Sequence, residues 1–431
     1  MTMRRIHIVL TAAVLTVSAV SCTLPEPGYG SLNGRVTDAD GKGIASVAVV
    51  YGDSAVYTVQ TGNYVYETIP EGLQGIRFIK DGYYGAMRLV NIPKGGNAVC
   101  DVAMDIYTAG WAAGNGDSGY GTVLYTSDAG RTWVRQGSTQ MIPDTDLRDV
   151  CAVSDSVCWI VGDIDAFRNR TVILRTDDGG QTWANQITSG SIPAMNLSSI
   201  ISRDGVNAWA VAADTCVILS TNNGGGTWNV CHTSAAAAGY SSVTTSDGVN
   251  IWCCGAGAQG DAVVEYSPDG GATWTAFPVT AAYPGQIPGD ICVSDAGVLY
   301  LIGSGSMGVL RSDDGGMTWT VAAEAGGSQS SLDICGEGNI WFCGEGGMLY
   351  HTADDFFTRS EMAPASDVYP GGEAVSVAFL RDAVRGAMAV KSLTGETGTI
   401  LYTLDGGNVW NGSSVPFSFS IEKLDFVGGY N

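Results

Sequence analysis

This 431-residue sequence predicts an all-β chain: an N-terminal β-sandwich followed by a seven-bladed β-propeller. Two patterns carry that expectation. A phrase of the form Ser/Thr-x-Asp-x-Gly-x-Thr-Trp recurs through residues 126–410, its starting positions stepping by 50, 45, 46, 45, 40 and 51 residues. Such a period is one propeller blade of four short strands. Ahead of it, residues 30–105 alternate apolar and polar side chains around glycine-rich turns, as half-buried strands do.

The N-terminus comes first. Arg4 and Arg5 precede an apolar run, Ile6 to Val20, too short to span a bilayer as a helix. Small residues follow, ending at Cys22, in the pattern of a secretory signal. The ending Ala19-Val20-Ser21-Cys22 resembles the lipobox of bacterial lipoproteins. That resemblance implies a signal peptide over 1–22, lipidation of Cys22 and a short tether over 23–29. It further implies an exported protein, lipid-anchored at the outer membrane or cell surface. A plain secretory signal and a secreted protein are the alternative. No later stretch reads as transmembrane, so the expected membrane attachment is the lipid alone.

Residues 30–105 form the first module. Val36, Ile44, Val47 and Val49 alternate around an Asp-Gly-Lys-Gly turn, which is hairpin chemistry. The Gly34-x-Val36-x-Asp38 start, the Gly41-x-Gly43-Ile44 turn and "IRFIKDGY" together resemble the carboxypeptidase regulatory-like β-sandwich. Membership implies a spacer between an anchor and a working domain.

Residues 106–431 form the second module. Each unit offers a first strand ("LRDVCAV", "SLDICG"), a second ("CWIVG", "IWFCG"), a third that runs into the repeated turn, and a fourth that begins at its Trp. The module opens at "YTAGWAAG", a second strand without a first, and ends at "IEKLDFV", a first strand without a blade. The C-terminal strand is therefore expected to complete the N-terminal blade and close the ring.

Every residue type in the phrase has a structural use. The Ser/Thr hydroxyl and the Asp carboxylate can take up backbone N–H groups that a tight turn strips of ladder partners. The Gly two residues after the Asp supplies positive φ, and the Trp packs back on the hairpin. The turn-forming positions are Asp128, Asp178, Asn223, Asp269, Asp314, Asp354 and Asp405. Asp177, beside Asp178, is replaced by Ser127, Asn222, Pro268, Asp313, Ala353 and Leu404 in the other copies, so it is free to vary. The apparent dyad is one turn-forming acid and one incidental one. The phrase resembles the Asp-box, or bacterial neuraminidase repeat, across residues 107–431. All 11 tryptophans fall either at the Asp-box position or in a second strand, which leaves no surplus for a carbohydrate platform.

Composition narrows the function. Acidic residues outnumber basic ones 43 to 21, and loss of the signal takes two arginines and no acids, leaving 19 bases and a net charge of about −24. A nucleic-acid partner or anionic membrane surface lacks its basic footprint. Two histidines follow the signal, His232 and His351, on different blades, too little for a His-based zinc site or a Ser-His-Asp triad. No catalytic residue, metal site or cofactor is assigned. A lipidated Cys22 leaves ten further cysteines. Cys151 with Cys158, or Cys335 with Cys343, could bridge a hairpin. Equally, Cys151, Cys292 and Cys335 share one repeat position as buried small hydrophobes, the preferred reading.

Sialidases share the Asp-box, but their family pattern has six blades and an Arg-Ile-Pro motif that this chain lacks. Among single seven-bladed Asp-box families the sequence resembles the photosystem II assembly and stability factor group, whose repeats read as residues 159–183 do here. Arg175 and Arg311 stand where that group carries patch-forming arginines; the other blades carry Tyr125, Ser220, Tyr266, His351 and Tyr402. The resemblance implies a non-enzymatic protein-binding or scaffold module whose partner is another envelope or extracellular protein. A glycan-binding or glycoside-hydrolase-like propeller is the alternative. Ligands are expected at the loops opposite the Asp-box turns. The candidates are Asp117 and Tyr120 in "NGDSGYG", Asp163, Asp165, Arg168 and Arg170 in "DIDAFRNR", and Lys391 and Glu396 in "KSLTGET".

Overall fold

The structure is a computed structural model. It describes residues 28–428, apart from 39–40, 81, 117–119, 139, 189–191, 259, 280–285, 306, 325–326, 336–337, 357, 359, 363–371, 393–397 and 416–418. Cys22, Asp117 and Glu396 lie outside the described residues. The chain forms two compact units, one of residues up to 79 with 86–103, the other of 80–85 with 104 onward.

The first unit is a sandwich of two four-stranded sheets. One contains Tyr29–Thr37, Asn63–Pro70, Asn97–Val99 and Val102–Ala103; the other contains Ala48–Tyr51, Ser54–Tyr57, Gly72–Ile79 and Ala86–Ile92. Period-two alternation sends Leu32, Val36, Val49, Ile69, Ile76 and Phe78 inward, all fully buried. The turn expected to make a hairpin closes a single bridge, Thr37 with Gly43. Asp38 holds it by accepting the Lys42 amide at 2.8 Å. The chain then crosses to the second sheet, because Val47 and Val49 complete the core from there.

The second unit is a seven-bladed β-propeller, with seven four-stranded sheets among the described residues. Six are consecutive meanders. The seventh joins Gly110–Gly116, Gly121–Thr126 and Val134–Gln136 to the C-terminal strand Phe419–Phe426, which pairs from Phe426 with Gly110 to Phe419 with Gly116. The closure expected from the sequence is thus made. Second strands, covered by a blade on each face, are buried along their length, as in Ala208–Ala212 and Ile340–Gly344. Outer strands such as Val134–Gln136 are largely exposed.

All seven repeated turns share one hydrogen-bond scheme, the Thr403 copy lacking only the hydroxyl bond because Val409 replaces the threonine. In the Thr176 copy, the Thr176 hydroxyl donates to Asp178 Oδ1 at 2.8 Å and accepts the Gly180 amide at 2.8 Å. Asp178 in turn accepts the Thr182 amide at 2.9 Å and its hydroxyl at 2.6 Å. Asn223 keeps the amide bond, from Thr227 at 2.9 Å, but its Nδ2 donates to the Thr227 hydroxyl. The Thr352 copy, which has lost both glycines, keeps the scheme by holding Asp355 and Phe356 at φ 58° and 69°.

Each of the seven inner strands carries a β-bulge near its start, between Leu147 and Asp149 in the second blade and at the equivalent place in every other. The glycine of the Trp-x-x-Gly second strands faces it. A Cβ on Gly162, Gly255 or Gly344 would sit 2.2–2.4 Å from the carbonyl oxygen of Asp146, Gly239 or Ser328, at the approach to the bulge. Ten cysteines among the described residues are free thiols, and seven of them are buried, which answers the open choice in favour of packing. The shared position holds for Cys151 and Cys292 only: Asp333 stands opposite Trp341 as Cys151 stands opposite Trp159, so Cys335 lies two residues further on.

Candidate functional site

An inner strand is a sheet edge, so the amides on its open side have no ladder partner. The residue after the bulge supplies one across the blade boundary in five blades; in the fourth, Ser242 instead donates to Asp290 at 2.7 Å, and Asp290 caps the Ile291 amide of its own strand at 3.0 Å. Asp149 accepts the Ile200 amide at 2.8 Å, Ser199 that of Val243 at 3.3 Å, and Asp290 that of Leu332 at 3.2 Å. Ser331 accepts from Val377 at 3.4 Å and Ser376 from Leu424 at 3.1 Å. Two residues further along, Asp333 takes the Phe379 amide at 2.6 Å and Asp425 that of Ala152 at 2.7 Å. Cys151 joins this second level, its sulfur accepting from Ser202 at 3.3 Å.

Lys423 holds the seventh place in the first level and cannot accept. Asp149 compensates by capping its own strand's Val150 amide at 2.9 Å. Lys423 Nζ instead reaches Asp290 Oδ2 at 3.1 Å. Burial works against the ammonium, but Asp290 and Asp149 outweigh it and hold Lys423 well above the ordinary lysine range. Burial pushes the Asp149 carboxyl up to about 6, against the pull of Lys423, and Asp333 up to about 7. A cavity of about 10 Å³, room for one water, lies among Asp149, Ser199, Ser242, Asp290 and Lys423. These carboxylates are occupied by main chain and lysine. They are built into the ring.

The opposite-rim loops expected to bind look different. In the second blade the hairpin joining Cys158–Asp165 to Arg170–Thr176 turns through Asn169 at φ 47°. Asp165, fully buried, accepts the Arg168 amide at 3.0 Å and its guanidinium at 3.0 Å, with Arg170 Nε 3.6 Å away. Asp163 pairs with Arg148 at 2.6 Å, and that bond leads the effects that raise Arg148 above the ordinary arginine range. The Ile164 amide is taken by Asn196 at 2.9 Å. All four sequence-predicted residues of this loop therefore brace it. What the brace presents is Phe167, which sequence reasoning passed over: 89% exposed, with the Arg168 guanidinium 5.8 Å from its ring centre.

Tyr120 lines a surface cavity of about 230 Å³ with Arg135, Gln136, Ser138 and Ile142. One connector ties this cavity to the hairpin: Gly121 donates to Pro143 O, Thr145 Oγ1 to Ile164 O, and the Asp163 amide to Asp146 O. Lys391 lies on the seventh blade and pairs with Glu422 of the closing strand at 2.5 Å. On the turn side, Arg175 covers the Trp159 ring at 4.6 Å and donates to Gly224 O, while Arg311 pairs with Asp313 and Asp355. Both arginines are bound into the blades. His351 stacks on Trp341 at 4.3 Å, and burial lowers its pKa. Among the described residues no group of three His, Cys, Asp or Glu could hold a metal ion.

Comparison with known proteins gives fold and nothing finer. No protein-family model matches the chain, and no curated protein sequence does. Among solved structures it is similar to YCF48 from Cyanidioschyzon merolae, at 17% identity and a TM-score of 0.50, over 70% of this chain and 97% of that one. A protein from Lactobacillus plantarum matches at 10% identity and TM-score 0.52, over 75% and 100%. U3-55K matches at 12% and 0.52, over 66% and 86%. The likeness is of fold alone.

Proposed function

We propose that the chain is a binding scaffold that holds another protein on the loop face of its first and second blades. In this reading the propeller is an Asp-box protein, the sandwich is a carboxypeptidase regulatory-like spacer, and Cys22 is a lipidated anchor in a bacterial envelope. One observation carries the binding role. Phe167 stands in solvent on a hairpin whose conformation is already fixed by buried Asp165. An aromatic side chain held ready beside arginines is the composition of an interface anchor, and its pre-ordering lowers the entropy cost of association.

Site-specific photocrosslinking in the native envelope tests it. A benzoyl-phenylalanine at position 167 is expected to trap a discrete protein, and Phe167→Ala to abolish its recovery with the chain. The same crosslinker at Val409, 56% exposed on the turn side, is the control. Equal products from both positions, or none from position 167, would overturn the proposal.

A further inference from the structure

Two charges stand together on the closing strand. Phe419–Phe426 carries Lys423 at the first level and Asp425 at the second, the level at which another inner strand carries Asp333. Asp425 Oδ2 fastens the strand to the second blade through the Ala152 amide. Its other oxygen, Oδ1, is buried with no partner, and the residue is 3% exposed. The titratable groups whose charge acts on it are Asp149 and Cys151 on Leu147–Ala152, Cys158 on the strand beyond, Asp333 from Gln329–Ile334, and Lys423 on its own strand. Its ladder partner Gly110–Gly116 contributes no titratable side chain. Lys423 is already bonded to Asp290. An ionised Asp425 would thus be a buried charge with one oxygen unpaired, in the field of two other carboxyl groups, and such a group takes up a proton instead.

We propose that Asp425 is a proton-dependent latch on ring closure. Protonated, it is neutral in its buried place and keeps Phe419–Phe426 on the second blade; ionised, it adds an unpaired charge to those of Asp333 and Asp149 and weakens that closure. Burial, seconded by Asp333 and Asp149, pushes its carboxyl up to about 8. Because the folded value lies above the unfolded one, the stability it contributes is complete below the unfolded value near 4. That stability is lost as pH rises through the folded value, and the loss levels off beyond about 8.

Equilibrium urea unfolding of the full chain and of Asp425→Asn, at pH 5 to 9, reads this directly. Between pH 5 and 7 the wild-type unfolding constant is expected to rise about tenfold per pH unit more steeply than that of the variant. Amide protection factors over Ile421–Phe426 are expected to fall with pH in the wild type and to hold in Asp425→Asn. Parallel pH profiles would overturn the latch. Should the variant not fold, wild-type exchange decides: early loss in Ile421–Phe426 supports the latch, and uniform loss across the seven inner strands overturns it.

Discussion

The carboxylate of Asp149 accepts the Ile200 amide at 2.8 Å, so a side chain of one blade completes the main chain of the next. Its second oxygen caps Val150, the amide that Lys423 cannot serve. Removing the carboxylate leaves the two buried amides of Val150 and Ile200 without an acceptor. Asp149→Ala is therefore expected to cost about 2–3 kcal/mol in urea unfolding at pH 7. Asp149→Asn, which keeps one acceptor, should cost about 1 kcal/mol. Equal losses for the two variants would mean that charge, not amide capping, is what matters at this position.

The second glycine of the turn can be tested where space is not the issue. Gly316 sits at φ +95°, and a Cβ there would come no closer than 3.5 Å to a neighbour. Gly316→Ala should nonetheless cost about 1–2 kcal/mol, from left-handed backbone strain alone. Gly412→Ala, in an outer strand with open space around it, is the matched control and should stay within about 0.5 kcal/mol of wild type. A neutral Gly316→Ala would show that the turn can relax out of the left-handed region.

Adjacent acids in one turn should behave differently. Asp178 takes three hydrogen bonds from Thr176 and Thr182, whereas Asp177 pairs only with Arg175 and is 67% exposed. Asp178→Ala should lower Tm, and Asp177→Ala should leave it unchanged within error. The Thr182 hydroxyl and amide hold the Asp178 carboxyl below its ordinary value, and Thr318 holds Asp314 at about 2. A depressed folded value means that this stability is present above the unfolded value near 4 and is lost as pH falls through the folded one. Scanning calorimetry from pH 5 to 2 should show a shallower acid limb for Asp178→Asn, which has the geometry that Asn223 already uses. An unchanged acid limb would remove these turns from the acid response.

How much of this could be read beforehand follows from what repeats. Turn, Trp and strand recur seven times, so blade count and ring closure were legible from spacing. The bulge was not, because its cause is a backbone contact between the glycine of Trp-x-x-Gly and the approach to the inner strand, which no sequence window contains. Channel residues escaped because they differ from blade to blade: Asp149, Ser199 and Lys423 share a position only once the ring exists. In "DIDAFRNR" the charges drew attention and proved to be the brace. The group they display, Phe167, reads in sequence as an ordinary loop apolar.

One departure from the repeat remains. Glu265 occupies a third-strand position filled by Leu124, Leu174, Leu219, Leu310 and Leu401 in five other blades and by Tyr350 in the remaining one, and it is 2% exposed. Its two oxygens accept from Ser234, from His232 Nε2 at 2.9 Å and from Tyr240 OH at 2.7 Å. His232 comes from the outer strand of the third blade, and Tyr240 stands where Leu147 and Leu197 stand elsewhere. The polar group and its donors replace a leucine pair together, so they should be coupled. Glu265→Leu alone restores the repeat residue but leaves the Tyr240 hydroxyl buried and unpaired, at an expected cost of about 2 kcal/mol. Glu265→Leu with Tyr240→Phe removes donor and acceptor together and should recover about half of that loss. The double-mutant cycle in urea should then give a coupling energy on the order of 1 kcal/mol. Additive losses would mean that Tyr240 is held by packing, and that the carboxylate serves Ser234 and His232 alone.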